Sequence, residues 1–262
     1  MTGYDLALRI LIALPAGLAV GSFLTVAITR APMGESLVRP RSRCPSCGAA
    51  IRPSDNVPVV SWLALRGRCR ACGSRISPVY PLTELVCGGL FVAVALRFED
   101  PWRVMLLAPF VALLVAVTVI DVRHRMIPNA LLYPALLLTA PYVVVADLLG
   151  GSLDAVRAGV GFLAYGGGLL LVALVAPGGM GMGDVKLAAL VGLALGGLGL
   201  SSVGVAAGAG ILIGGVAAIV ALVAGRGRKS SLPFGPSIAA GAILSVFAGP
   251  QLADLYLRLV GA

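Results

Sequence analysis

Two aspartates stand where an apolar chain turns polar. Asp121 follows Val117-Thr118-Val119-Ile120 and opens the stretch Val122-Arg123-His124-Arg125-Met126-Ile127-Pro128-Asn129. Asp184 ends Gly178-Gly179-Met180-Gly181-Met182-Gly183 and precedes Val185-Lys186-Leu187. Acidic side chains at the edge of hydrocarbon are costly and are functional candidates by default. Two carboxyls brought to one level can share a proton, one protonated as acid and the other ionised as base. Such a pair activates water against a peptide carbonyl with neither metal nor covalent nucleophile. Each residue also has a structural reading. Asp184 after glycine suits a helix N-cap and the positive dipole end. Asp121 closes an apolar run, where a helix C-terminus opposes negative charge, so only neutralisation by Arg123 or Arg125 would make it scaffolding. Glu84 is a third carboxyl that could join them. On these residues alone, an intramembrane aspartyl protease and a proton-coupled transporter stand level.

A second constellation is built of cysteine. Cys44-Pro45-Ser46-Cys47-Gly48 and Cys69-Arg70-Ala71-Cys72-Gly73 are two C-x2-C-G knuckles. Four thiolates can close a tetrahedral zinc site, and the spacing is close to a zinc-ribbon pattern. With four protein ligands no position stays open, so such a zinc is structural rather than hydrolytic. Disulfides, a redox pair or a catalytic thiol are the competing readings. Cys87 lies alone in an apolar run and reads as a buried apolar residue. His124 is the one histidine in the chain, which argues against a multi-His zinc hydrolase.

The elements that must hold these groups are apolar. Of 262 residues, 59% are hydrophobic and 12% charged, against about 25% charged in a soluble domain. The mean hydropathy is +1.00, and neither 105–120 nor 187–224 carries a single charge. Continuous runs of this length predict membrane-spanning helices; a barrel would show short alternating segments. The 35 glycines suit close helix contacts in lipid. The prediction is an all-α polytopic membrane protein of about eight transmembrane helices, near 6–28, 80–97, 103–120, 129–149, 156–176, 185–200, 203–224 and 237–257.

Three regions follow: a first helix in 1–29, a small cytoplasmic tetra-cysteine zinc-binding insert in 30–79, and a membrane domain in 80–262. An insert of about 50 residues builds little core alone and needs a staple. The first span could be misread as a cleaved signal peptide, but the Arg-rich, Cys-paired loop after it suits the cytoplasm better than export.

The net charge is +9. With the N-terminus outside, 15 of the 20 basic residues fall on the inner side: the nine arginines of 30–79, then Arg123, Arg125, Lys186, Arg226, Arg228 and Lys229. The model is N-out and C-out with an Arg-rich cytoplasmic face, where basic residues also attract anionic lipid. No aromatic residues interleave the arginines as a stacking platform needs, which excludes nucleic acid as a partner.

In order along the chain, the motifs resemble those of the prepilin peptidases, or type IV leader peptidases, a family of membrane aspartyl proteases. They run from Gly21-Ser22-Phe23-Leu24-Thr25-Val26 and Arg30-Ala31-Pro32 through the cysteine pairs to Tyr80-Pro81-Leu82-Thr83-Glu84-Leu85. Asp121 with Ile127-Pro128-Asn129 matches the first catalytic-aspartate motif. Gly181-Met182-Gly183-Asp184-Val185-Lys186-Leu187 matches the second, and Pro233-Phe234-Gly235-Pro236 a late one. Thr25 replaces the family's usual Asn and Thr83 a common valine.

The resemblance implies that Asp121 and Asp184 cut the basic leader from type IV prepilins or pseudopilins at the cytoplasmic face of the inner membrane. Gly181, Gly183, Lys186, Pro128, Asn129 and Glu84 would support them. It also implies N-methylation of the new terminal residue with S-adenosylmethionine, since the four cysteines are present. Carboxylates such as Asp55 or Glu35 are candidates to contact the basic leader. The alternatives are a proton-coupled transporter and a zinc-stapled assembly protein.

Overall fold

The computed structural model describes residues 3–176, 180–225 and 233–260. Gly178, Gly179, Arg226, Arg228 and Lys229, used above, lie outside the described residues. The long helices are α1 (Gly3–Arg30), α3 (Val79–Arg97), α4 (Pro101–His124), α5 (Asn129–Leu148), α8 (Met182–Gly196), α9 (Leu200–Val223) and α10 (Gly235–Val260). Between α5 and α8 one rod is built from α6 (Ala155–Gly161), a π-helical turn (Phe162–Gly167) and α7 (Gly168–Val175). A short α2 (Val60–Ala64) lies in the insert. No strand forms among the described residues, only two isolated bridges.

Local chemistry sets the helix ends. Asp100 N-caps α4 by accepting from the Arg103 amide at 3.0 Å, with Pro101 in the first turn. Asp154 does the same for α6 through Arg157, at 2.8 Å. Asp147, the acid nearest to a mid-span position, accepts from the Ala155 amide at 3.1 Å instead of facing a pathway.

Among the described residues, seven helices are long and apolar enough to cross a bilayer, against about eight expected. The exception is α8, expected as a span over 185–200. It has 15 residues, about 22 Å at 1.5 Å per residue, against a hydrocarbon core of about 30 Å. Gly181 starts it as N-cap, and a turn at Gly197 to Gly199 ends it. Its length is not matched to lipid because it does not meet lipid: every residue from Leu187 to Gly197 is buried. At its far end Gly197 O accepts from the Asp154 amide at 3.0 Å.

Small residues let the surrounding helices approach, as the glycine content predicts. A Cβ on Gly21 of α1 would stand 2.7 Å from Glu84 Cα, and one on Gly166 would stand 2.8 Å from Ala189 Cα of α8. On α10, a Cβ at Gly241 would reach 2.6 Å from the Gly210 amide of α9.

In the insert, the two knuckles repeat one geometry. Arg43 bridges Ala50 and Arg68 bridges Arg75, while Gly48 and Gly73 both take φ of +71°. The Trp62 indole donates to Ile76 O at 3.2 Å, and Arg70 holds Asp55 through two hydrogen bonds at 2.7 and 2.9 Å.

Candidate active site

The site is assembled from three helix ends. Asp121 occupies the last turn of α4 and is only 4% exposed. Arg125 then turns the chain in the left-handed region (φ 52°, ψ 42°), its amide returning to Asp121 O at 2.8 Å. Pro128 fixes the entry to α5 as its N-cap. Between them Ile127 folds inward to 9% exposure.

The first turn of α10 meets Asp121 directly. The Gly235 amide donates to Asp121 Oδ2 at 3.0 Å, a buried bond. One of the orphan N–H groups of a helix start is thereby satisfied by a carboxylate from another helix. The fit excludes a side chain at 235, where a Cβ would lie 2.6 Å from Asp121 Oδ2 and 3.2 Å from Ile127 Cδ1.

Asp184 is the third residue of α8, in its first turn, and half-buried. The N-cap is Gly181 (φ −79°, ψ 143°), so Asp184 does not occupy the capping position itself. Gly183 packs on Ile127, where an added Cβ would stand 3.0 Å from Ile127 Cβ. Ile127 is thus the wedge between the α8 and α10 starts.

The supporting residues divide. Lys186 donates to Asn129 Oδ1 at 2.8 Å and lies 4.8 Å over the Tyr133 ring, tying the start of α8 to that of α5. Glu84, 7% exposed, accepts from the Val59 amide at 2.7 Å and so anchors the insert to α3. Among the described residues no hydrogen bond joins it to either aspartate. Asp55 is engaged by Arg70 and only 9% exposed, which leaves it poorly placed to meet a basic leader. His124 is exposed and Cys87 fully buried. The sequence alone gives no role to Gly235 or Ile127, although both lie inside the quoted motifs.

The cysteine cluster is compact: the sulfurs of Cys44, Cys47, Cys69 and Cys72 all lie within 4.8 Å of one another. Cys44 and Cys72 sulfurs are 3.9 Å apart, close to the edge of about 3.8 Å that a tetrahedron with metal–sulfur bonds of about 2.3 Å requires. The Ser74 hydroxyl beside Cys44, with the Cys47 and Ser46 amides, draws that thiol down to about 6. A thiolate is the form that ligates a metal.

Residues 16–98 match the Bacterial Peptidase A24 N-terminal domain, and 108–225 match the Type IV leader peptidase family. A Bacillus subtilis protein named prepilin leader peptidase/N-methyltransferase is 36% identical over 93% of this chain and 96% of its own. This chain belongs to the type IV leader peptidase family. Proteins of the same name from Stutzerimonas stutzeri and Pseudomonas aeruginosa are 35% and 32% identical, over 95% and 94% of this chain and 94% and 92% of theirs. There is no match among solved structures. Membership in the leader peptidases makes the chain an integral membrane protease and disfavours the transporter and assembly-protein readings.

Proposed function

We propose that this leader peptidase removes the basic leader of type IV prepilins or pseudopilins, with Asp121 and Asp184 as the catalytic pair. The observation that supports this reading is that Gly183, next to Asp184, and Gly235, whose amide holds Asp121, both pack on Ile127. Asp121 Oδ2 is engaged by Gly235, which leaves Oδ1 to hold a water between the two acids.

In the reaction, the ionised aspartate takes a proton from that water as its oxygen bonds to the scissile carbonyl carbon. The protonated aspartate gives its proton to the carbonyl oxygen. The resulting gem-diol collapses as a proton passes to the leaving nitrogen and the C–N bond breaks. With the N-terminus outside, this end of the bundle faces the cytoplasm, together with the Arg-rich insert.

Zinc is the metal that four thiolates at this spacing suit. Cys44, Cys47, Cys69 and Cys72 would hold it, and it would fasten the two knuckles of the insert. The relatives' names include N-methyltransferase, which supports methylation of the new N-terminus as a second activity. Its methyl donor would be S-adenosylmethionine, to which no side chain of this chain is assigned.

The test is a gel-shift cleavage assay with a type IV prepilin in membranes, comparing wild type with Asp121→Asn and Asp184→Asn. Asparagine keeps the size and hydrogen bonds but cannot share a proton. Both variants should express normally and fail to cleave. Undiminished cleavage by either one sinks the pair.

A further inference from the structure

One buried polar group on the rod packed against α8 has no hydrogen-bond partner among the described residues. Tyr165 is 6% exposed, and its hydroxyl is buried without any hydrogen bond. A buried unsatisfied hydroxyl costs free energy in every state in which it stays unpaired. Its setting is irregular as well, because Tyr165 sits in the π-helical turn Phe162–Gly167 inside an otherwise α-helical rod. Single π turns of this kind occur frequently at functional sites.

The surroundings of Tyr165 belong to the helices that carry or hold the two aspartates. The turn packs on α8, with Gly166 against Ala189. The hydroxyl itself points toward α9 and α10. A Cβ on Gly210 would stand 3.4 Å from Tyr165 Oη and 3.3 Å from Ser237 O. Ser237 follows Gly235, whose amide holds Asp121, by two residues. Of the elements packed here, α9 carries no charged residue and the first turn of α10 carries none. On α8, Ala189, which Gly166 meets, lies five residues along from Asp184. The hydroxyl therefore lies beside the first turn of α10, which holds Asp121, on a rod packed against α8, which carries Asp184.

We propose that Tyr165 is a positioning residue: when substrate draws the aspartates together, its phenol O–H donates to the Asp184 carboxylate and fixes that group's direction. This rests on the catalytic pair proposed above. It explains why a hydroxyl is kept where the resting structure leaves it unpaired. The hydrogen bond is made only in the reacting state, so its benefit appears in turnover rather than in stability or substrate affinity.

Tyr165→Phe separates this role from packing, because it removes one atom and keeps the ring. Removing a hydroxyl that is always unpaired would be neutral or stabilising and would leave cleavage unchanged. If the hydroxyl serves Asp184, kcat for prepilin cleavage by the purified full-length protein falls about 10- to 100-fold. KM and thermal midpoint then stay at wild-type values. Wild-type kcat in Tyr165→Phe, with Asp184→Asn inactive in the same assay, overturns the proposal and leaves the pair standing. Cleavage by Asp184→Asn removes the pair and this proposal with it. Should Tyr165→Phe also lose stability, 3-fluorotyrosine at 165 decides, since it keeps shape and hydroxyl while making the phenol more acidic. An altered pH profile of kcat then upholds the role, and a wild-type profile overturns it.

Discussion

The Gly235 amide holds Asp121 from a helix 114 residues further along the chain, with a hydrogen bond of 3.0 Å. A helix start has several amides without internal partners, so α10 can supply this donor at no loss to itself. The arrangement leaves no space for a side chain at 235, where a Cβ would lie 2.6 Å from Asp121 Oδ2 and 3.2 Å from its Cγ. Gly235→Ala must therefore push the carboxylate or the start of α10 aside. A displacement of about 1 Å in reacting groups can cost about 100-fold in rate. The expected result is a loss of that order in cleavage rate, with the protein still folded by thermal melting. A variant cleaving within about threefold of wild type contradicts this account of Asp121.

The two glycines before Asp184 differ in what surrounds them. At Gly183 a Cβ would meet Ile127 Cβ at 3.0 Å, inside the wedge that aligns the helix starts. At Gly181 its nearest neighbour would be Asp184 Oδ2, at an ordinary 3.4 Å, and the backbone there is extended (φ −79°). Gly183→Ala should thus lower cleavage at least tenfold, while Gly181→Ala stays within about threefold of wild type. Initial rates on one prepilin, normalised to protein level, would test the ordering. Equal sensitivity at both positions would show that backbone freedom, not packing on Ile127, sets the need for glycine.

What could be read from the sequence here follows how local each signal is. Asp121 and Asp184 stood out because a charge at the end of an apolar run is conspicuous from composition alone. The cysteine knuckles were legible because ligand spacing is short-range, and 25 residues later the same Gly conformation recurs at Gly73. The shortness of α8 was not legible, because Leu187 to Gly197 is as apolar as a lipid-facing segment and its enclosure by protein is a tertiary fact. Glu84 read as a possible third acid since it opens an apolar helix, yet its partner is the Val59 amide, 25 positions earlier. Tyr165 carries no local mark, because its neighbours Gly210 and Ser237 lie 45 and 72 positions further along the chain.

The bond between Glu84 and Val59 also restrains an unusual backbone. Val59 has φ 62° and ψ −50°, and the Val60 amide returns to Pro58 O at 2.6 Å, which makes a γ-turn centred on a β-branched residue. Such a conformation costs about 1–3 kcal/mol. Val59→Gly relieves it, less the extra entropy of glycine in the unfolded chain, and should stabilise the insert by about 1 kcal/mol. Glu84→Ala should do the reverse by about 1–2 kcal/mol, because it strips a partly buried amide of its acceptor. Glu84→Gln, which keeps an oxygen there, should fall between. Limited proteolysis across 34–78 reads all three, and greater protection in Glu84→Ala than in wild type would refute the anchor.

Within the insert, Asp55 and Arg70 form a two-bond pair, with the Asp55 side chain only 9% exposed. The Arg70 guanidinium holds the Asp55 carboxyl below the ordinary carboxylate range. A carboxyl whose folded value is depressed adds stability that is present above the unfolded value of about 3.9 and is lost as pH falls through the folded value. Removing the pair with Asp55→Asn should therefore lower the unfolding midpoint of the insert at pH 7. The difference from wild type should hold steady down to about pH 5 and shrink through the acid range below about 4. Thermal melts of both proteins at pH 7, 5, 4 and 3 give the comparison. A gap that persists unchanged at pH 3 would mean that Asp55 acts through packing or neutral hydrogen bonding, and that its charge on Arg70 contributes nothing to the fold of the insert.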